Sequence, residues 1–189
     1  CIAPDYIFVH DSIKNEFEQA LESQISKFYS NNTETSSDYM RIINQKHTAR
    51  ILSYVTDAVQ NGAKILYGGK VDLNENYCQP TLMTDVRMDS EIMKNEIFGP
   101  ILPIIGYQSI EEVTNHINND EKPLALYIFS KSNNFVEQVL KNTSAGGCCV
   151  NNVDVHFFNN NLPFGGVNNS GIGKSHGIFG FKSFSNEKA

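Results

Sequence analysis

Four cysteines are the residues of this chain best suited to covalent chemistry: Cys1, Cys78, Cys148 and Cys149. A thiolate is a strong nucleophile and leaves readily from a thioester. None of the four has CxxC spacing, and no histidine stands at metal-ligand spacing beside them, so no metal centre is expected. In a strand, Cys148 and Cys149 would point to opposite faces, and a bond between them would be strained. Cys78, Cys148 and Cys149 read as buried, reduced thiols of an intracellular protein. Cys1 is a separate case. Gly173-Lys174-Ser175 looks like the end of a phosphate-binding loop, which needs a glycine five positions before the final Gly-Lys-Ser. Asn168 stands there instead, Pro163 interrupts the segment that should be a strand, and only a short tail follows. Gly171, Gly173 and Gly177 also miss the dinucleotide fingerprint. This region is expected to be a tight turn before a C-terminal helix.

Three further segments carry more specific chemistry together than any does alone. The first is Cys1-Ile2-Ala3-Pro4-Asp5-Tyr6. The second is Asn95-Glu96-Ile97-Phe98-Gly99-Pro100. The third is Leu162-Pro163-Phe164-Gly165-Gly166-Val167, followed by Asn169-Ser170-Gly171 and His176-Gly177. In this order and spacing, with Pro123-Leu124-Ala125-Leu126-Tyr127 in agreement, the chain resembles the aldehyde dehydrogenase superfamily in its class 3 form. The resemblance runs from the first residue almost to the last.

That resemblance implies roles. Cys1 becomes the nucleophile that forms a thiohemiacetal with an aldehyde and later a thioester; read alone, it is a frayed terminus. Glu96 becomes the carboxylate that accepts hydrogen bonds from the nicotinamide ribose, two acceptor oxygens meeting the two donors of a diol. Phe98 becomes the ring that packs against the nicotinamide, with Gly99-Pro100 making the turn that aims both side chains. Read alone, Glu96 is a solvated charge near a helix end and Phe98 an ordinary core ring. His156, Phe157 and His176 are candidates for the wall of a substrate funnel, although each histidine read alone is a satisfied or exposed side chain. The implied cofactor is NAD or NADP. The implied partners are an aldehyde substrate and, in the full-length parent, a second copy of the chain, since the class 3 branch is typically dimeric.

The family also places a nucleotide-binding domain, a glutamate general base and an asparagine oxyanion donor before the cysteine. Residues 1–189 are therefore expected to be the catalytic domain without its nucleotide-binding domain, and inactive in isolation. The alternative from another class is a non-catalytic α/β interaction or regulatory module derived from such an enzyme. The residues preceding Cys1 in the gene would separate the two.

The elements that must position these groups follow from periodicity. Tyr6 to His10 reads as a strand, and Asp11 or Ser12 as the cap of a helix through Phe28. Asn31 to Ser37 is loop-like. Thr48, Ile51, Leu52, Val55, Ala58 and Val59 form the stripe of a helix over Gln45 to Gln60, stopped by Asn61-Gly62. Lys64 to Tyr67 is a strand, and Tyr77 to Val86 is extended, with Pro80 weakening it. Ser90 or Asp89 caps a short helix towards Asn95. Strands over Ile101–Tyr107, Leu124–Ser130 and Cys148–Val153 alternate with a helix capped at Ser109 and a helix that opens at Asn133 or Asn134. Asn159 to Lys182 is loop-like. This alternation predicts an α/β fold with an open, mostly parallel sheet and helices on both faces. At 189 residues and 40% hydrophobic the chain can build a core, and its net charge of −6 argues against nucleic acid. No apolar run is long enough to span a membrane, and a cytoplasmic location is expected.

Overall fold

The computed structural model describes residues 1–30 and 32–188. Asn31, within the loop expected from Asn31 to Ser37, and Ala189 lie outside the described residues. The chain divides into two compact units, residues 4–108 and residues 1–3 with 109–189. Each is described by itself.

In the first unit, β1 (Ile7–His10) leads through a single 3-10 turn (Asp11–Ile13) into α1 (Lys14–Tyr29). The cap of that turn is His10, not Asp11 or Ser12. Its Nδ1 accepts from the Ser12 N–H at 3.3 Å, so an imidazole takes the place of the expected carboxylate or hydroxyl. The next helix, α2 (Gln45–Gln60), is capped by Asn44, whose Oδ1 accepts from the His47 N–H at 2.9 Å. Thr48, Ile51, Val55 and Ala58 are its buried stripe, while Val59 lies at the margin, 43% exposed.

β2 (Lys64–Tyr67), β3 (Val71–Asp72), β4 (Tyr77–Cys78), β5 (Thr81–Thr84), α3 (Glu91–Lys94) and β6 (Ile101–Tyr107) complete the unit. The extended run from Tyr77 breaks at Pro80, which has no N–H to give to a ladder. The four-stranded sheet has the order β1-β6-β5-β2. Its first three strands are parallel, and β2 pairs antiparallel at the edge. Met83 and Ile101 pack with Ile51, Val55 and Ala58 of α2, whereas Leu82, Ile104 and Val9 pack with Phe17, Leu21 and Ile25 of α1. Adjacent strand residues face opposite sides, so a helix covers each face. Ser90 holds the cap position of α3 but makes no cap bond. Asp57 of α2 replaces it, its Oδ2 accepting from the Glu91 N–H at 2.9 Å.

In the second unit, Ser109 caps α4 (Ile110–Asn119) as expected. β7 (Ala125–Ile128), α5 (Asn133–Asn142) and β8 (Gly147–Val150) then form a strand–helix–strand crossover, with β7 and β8 parallel and Tyr127 opposite Cys149. α5 opens at Asn133 as expected, and its cap is Ser132, whose Oγ accepts from the Phe135 N–H at 3.3 Å. β8 stops at Val150, short of Val153, because Asn151 and Asp154 take left-handed backbone (φ 55° and 62°) and turn the chain into a short helix, α6 (Val155–Phe158). The loop-like stretch that follows holds a 3-10 turn (Asn168–Ser170), a bridge between Phe164 and Ser175, and the start of α7 (Gly177–Ser183). No helix among the described residues is long and apolar enough to cross a membrane, and among them no three His, Cys, Asp or Glu side chains gather to hold a metal ion.

Candidate active site

In the unit of residues 4–108 the informative segment is Glu96 to Pro100. Its central residue, Ile97, is 1% exposed, and its backbone is gripped on both sides. The Ile97 N–H donates to Asp5 Oδ1 at 2.9 Å. Arg50, from α2, donates to the Ile97 carbonyl at 2.7 Å and to the Phe98 carbonyl at 3.3 Å. With Ile97 anchored inward, both of its neighbours face solvent: Glu96 is exposed and Phe98 is 60% exposed. Phe98 is therefore no core ring. It also carries a left-handed backbone, φ 42°, which costs a bulky residue about 1–3 kcal/mol. Gly99 lets the loop lie against α2, since a Cβ there would stand 2.6 Å from Ile51 Cδ1.

Glu96 and Phe98 share an open cleft of about 530 Å³ with Arg41, His47 and Arg50. Three side chains able to carry positive charge, with Ile42 and Ile43, thus line the same cleft as one carboxylate. Sequence reasoning gave no role to Arg41, His47, Arg50 or Asp5. Arg50 and Ile97 are 47 positions apart, and no local pattern joins them. Burial raises the Asp5 carboxyl above its ordinary range and the Glu96 charge adds to this, while the Ile97 N–H and Arg50 oppose it.

In the other unit, Cys1 is exposed and forms no disulfide. Cys149 is buried and Cys148 half-buried, and burial in the first unit pushes the Cys78 thiol up to about 12. Next to Cys1, the Ile2 carbonyl accepts the Tyr127 hydroxyl at 2.6 Å, and Asp154 Oδ1 lies 2.9 Å from the same hydroxyl. The Tyr127 ring meets the His156 ring edge-on at 6.0 Å.

His156, Phe157 and His176 converge on Phe164. Phe157 meets Phe164 at 5.0 Å, His176 stacks on it at 5.3 Å, and His156 lies 5.8 Å from it. These histidines are neither exposed nor fully satisfied. His156 is 8% exposed; its Nδ1 contacts Cys149 Sγ at 3.0 Å, while its Nε2 is buried without a partner. His176 Nδ1 is also buried without a partner. Gly147 makes room for His156, because a Cβ there would lie 2.7 Å from its Cδ2. The false phosphate loop resolves differently. Lys174 donates to the carbonyls of Gly165 at 2.6 Å and Gly166 at 3.1 Å, so its ammonium ties a turn together.

The chemistry available is that of an exposed thiol and an aromatic cluster with two buried, unpartnered imidazole nitrogens in one unit, and of a carboxylate and ring displayed on a cleft in the other. Comparison with known proteins points the same way. The profile described as "Aldehyde dehydrogenase family" matches residues 1–189. "Aldehyde dehydrogenase family 3 member A2" of Mus musculus is 45% identical over 188 residues, covering 100% of this chain and 38% of that protein. "Aldehyde dehydrogenase, dimeric NADP-preferring" of Canis lupus familiaris is 42% identical, covering 98% of this chain and 40% of that protein. The solved structure described as the substrate-bound state of Staphylococcus aureus AldH superimposes with a TM-score of 0.93 at 44% identity, covering 99% of this chain and 40% of its own. The chain thus spans about two fifths of the length of the relatives it matches.

Proposed function

The chain belongs to the aldehyde dehydrogenase family, and from that premise we propose that residues 1–189 are the catalytic domain of an enzyme that oxidises an aldehyde to a carboxylic acid with NAD or NADP. In this reading the Cys1 thiolate adds to the aldehyde carbon and forms a thiohemiacetal. Loss of hydride from that carbon leaves a thioester on Cys1, and water opens it to the acid and returns the thiol. A bound nicotinamide supplies the hydride acceptor. Glu96 holds the ribose hydroxyls, Phe98 limits where the ring lies, and Arg41, His47 and Arg50 complement a nucleotide's negative charge. His156, Phe157, Phe164 and His176 form the apolar wall for the substrate. By analogy with the canine relative, whose name says dimeric and NADP-preferring, the full enzyme pairs with a second copy; a cytoplasmic location fits this reading.

One observation carries the proposal: Phe98 is held out of the core on strained backbone, next to an exposed carboxylate. A fold keeps such strain where a ligand uses the displayed groups. The test uses the longest natural polypeptide that contains this chain. Its reduced-nicotinamide absorbance is followed with a set of aldehydes and either nucleotide. Cys1→Ala is expected to abolish turnover. Glu96→Gln replaces a charge-assisted hydrogen bond with a neutral one and is expected to raise the nucleotide KM about tenfold, with the aldehyde KM little changed. Turnover that survives Cys1→Ala would sink the reading.

A further inference from the structure

Tyr127 lies on β7 with its hydroxyl between two acceptors, the Ile2 carbonyl at 2.6 Å and Asp154 Oδ1 at 2.9 Å. A phenol has one hydrogen to share between them. Burial, with Asp154 beside it, pushes the phenol well above its ordinary range, so it keeps that hydrogen and remains a donor. The ring is held as well. His156 packs edge-on against it and contacts Cys149, and Cys149 is the residue paired with Tyr127 across β7 and β8. Asp154 reaches the hydroxyl from a left-handed position at the start of α6, another strained residue kept at this place.

We propose that Tyr127, oriented by Asp154, is a positioning residue for Cys1. It fixes the Ile2 carbonyl and with it the peptide plane between residues 2 and 3, one residue from Cys1, and so narrows the directions in which the Cys1 thiol can point. This rests on the reading of Cys1 as the nucleophile. A thiol on a backbone that is not fixed samples many directions, and a misplacement of about 1 Å can cost about 10²-fold in rate.

The test again uses the longest natural polypeptide containing the chain. Tyr127→Phe keeps the ring and removes the hydrogen. We expect kcat to fall about tenfold or more, with both KM values within about twofold of the parent and slower alkylation of Cys1 by iodoacetamide. Asp154→Asn keeps an acceptor and should retain kcat within about twofold, whereas Asp154→Ala should lose it. An unchanged kcat in Tyr127→Phe, or a loss confined to KM, overturns the proposal. Should Tyr127→Phe fail to fold, the Asp154 pair decides, and equal kcat for Asn and Ala overturns it. Cys1→Ala is measured alongside. Turnover that survives it removes the nucleophile and the positioning together. Turnover abolished by Cys1→Ala but untouched by Tyr127→Phe removes the positioning alone.

Discussion

At the Asp5 carboxyl, burial and hydrogen bonding pull in opposite directions. Burial dominates, so the group binds a proton more readily in the folded chain than at its unfolded value near 3.8. Its contribution to stability therefore declines as pH rises from that value through the raised folded one. Asp5→Asn keeps an oxygen for the Ile97 N–H and removes the buried charge. We expect the thermal midpoint of the variant, relative to the parent, to increase between pH 4 and pH 7. A difference that shrinks over that range contradicts the assignment. Residues of this kind were hard to read from sequence. Cys1, Glu96 and Phe98 stood out because short segments surround them with a recognisable pattern. Asp5 and Tyr127 lie within such segments yet gained no role, and Arg50 lies in none, because their partners are 92, 125 and 47 positions away.

Elements were more legible where one apolar stripe decides them. The helix read over Gln45 to Gln60 begins and ends at those residues, since Thr48, Ile51, Val55 and Ala58 recur at helical spacing and Asn44 and Asn61 bracket them. Caps were less legible. At Glu91 the acceptor comes from another helix, and at Ser12 from an imidazole. The short helix Val155–Phe158 escaped altogether, because four residues show no period and its entry depends on left-handed backbone at Asp154. That helix and β8 meet through Gly147, whose missing side chain leaves space for the His156 ring. Gly147→Ala would force a methyl to 2.7 Å from His156 Cδ2. We expect overpacking to cost about 1–3 kcal/mol, visible as a lower denaturation midpoint. An unchanged midpoint would show that the ring moves aside freely.

At the scale of the whole chain, the sequence matches about two fifths of relatives that share its family. The Lys174 contacts carry one more consequence. Aldehydes condense with free amines, so a protein that handles them exposes its own lysines to damage. The Lys174 amine is half-buried and held against the Gly165 and Gly166 carbonyls, where an aldehyde cannot easily reach it. After incubation with an aldehyde and a trapping hydride reagent, adducts should collect on exposed lysines such as Lys131 and spare Lys174. Equal adduct yields at both positions would show that the turn opens often enough to leave its own fastening open to attack.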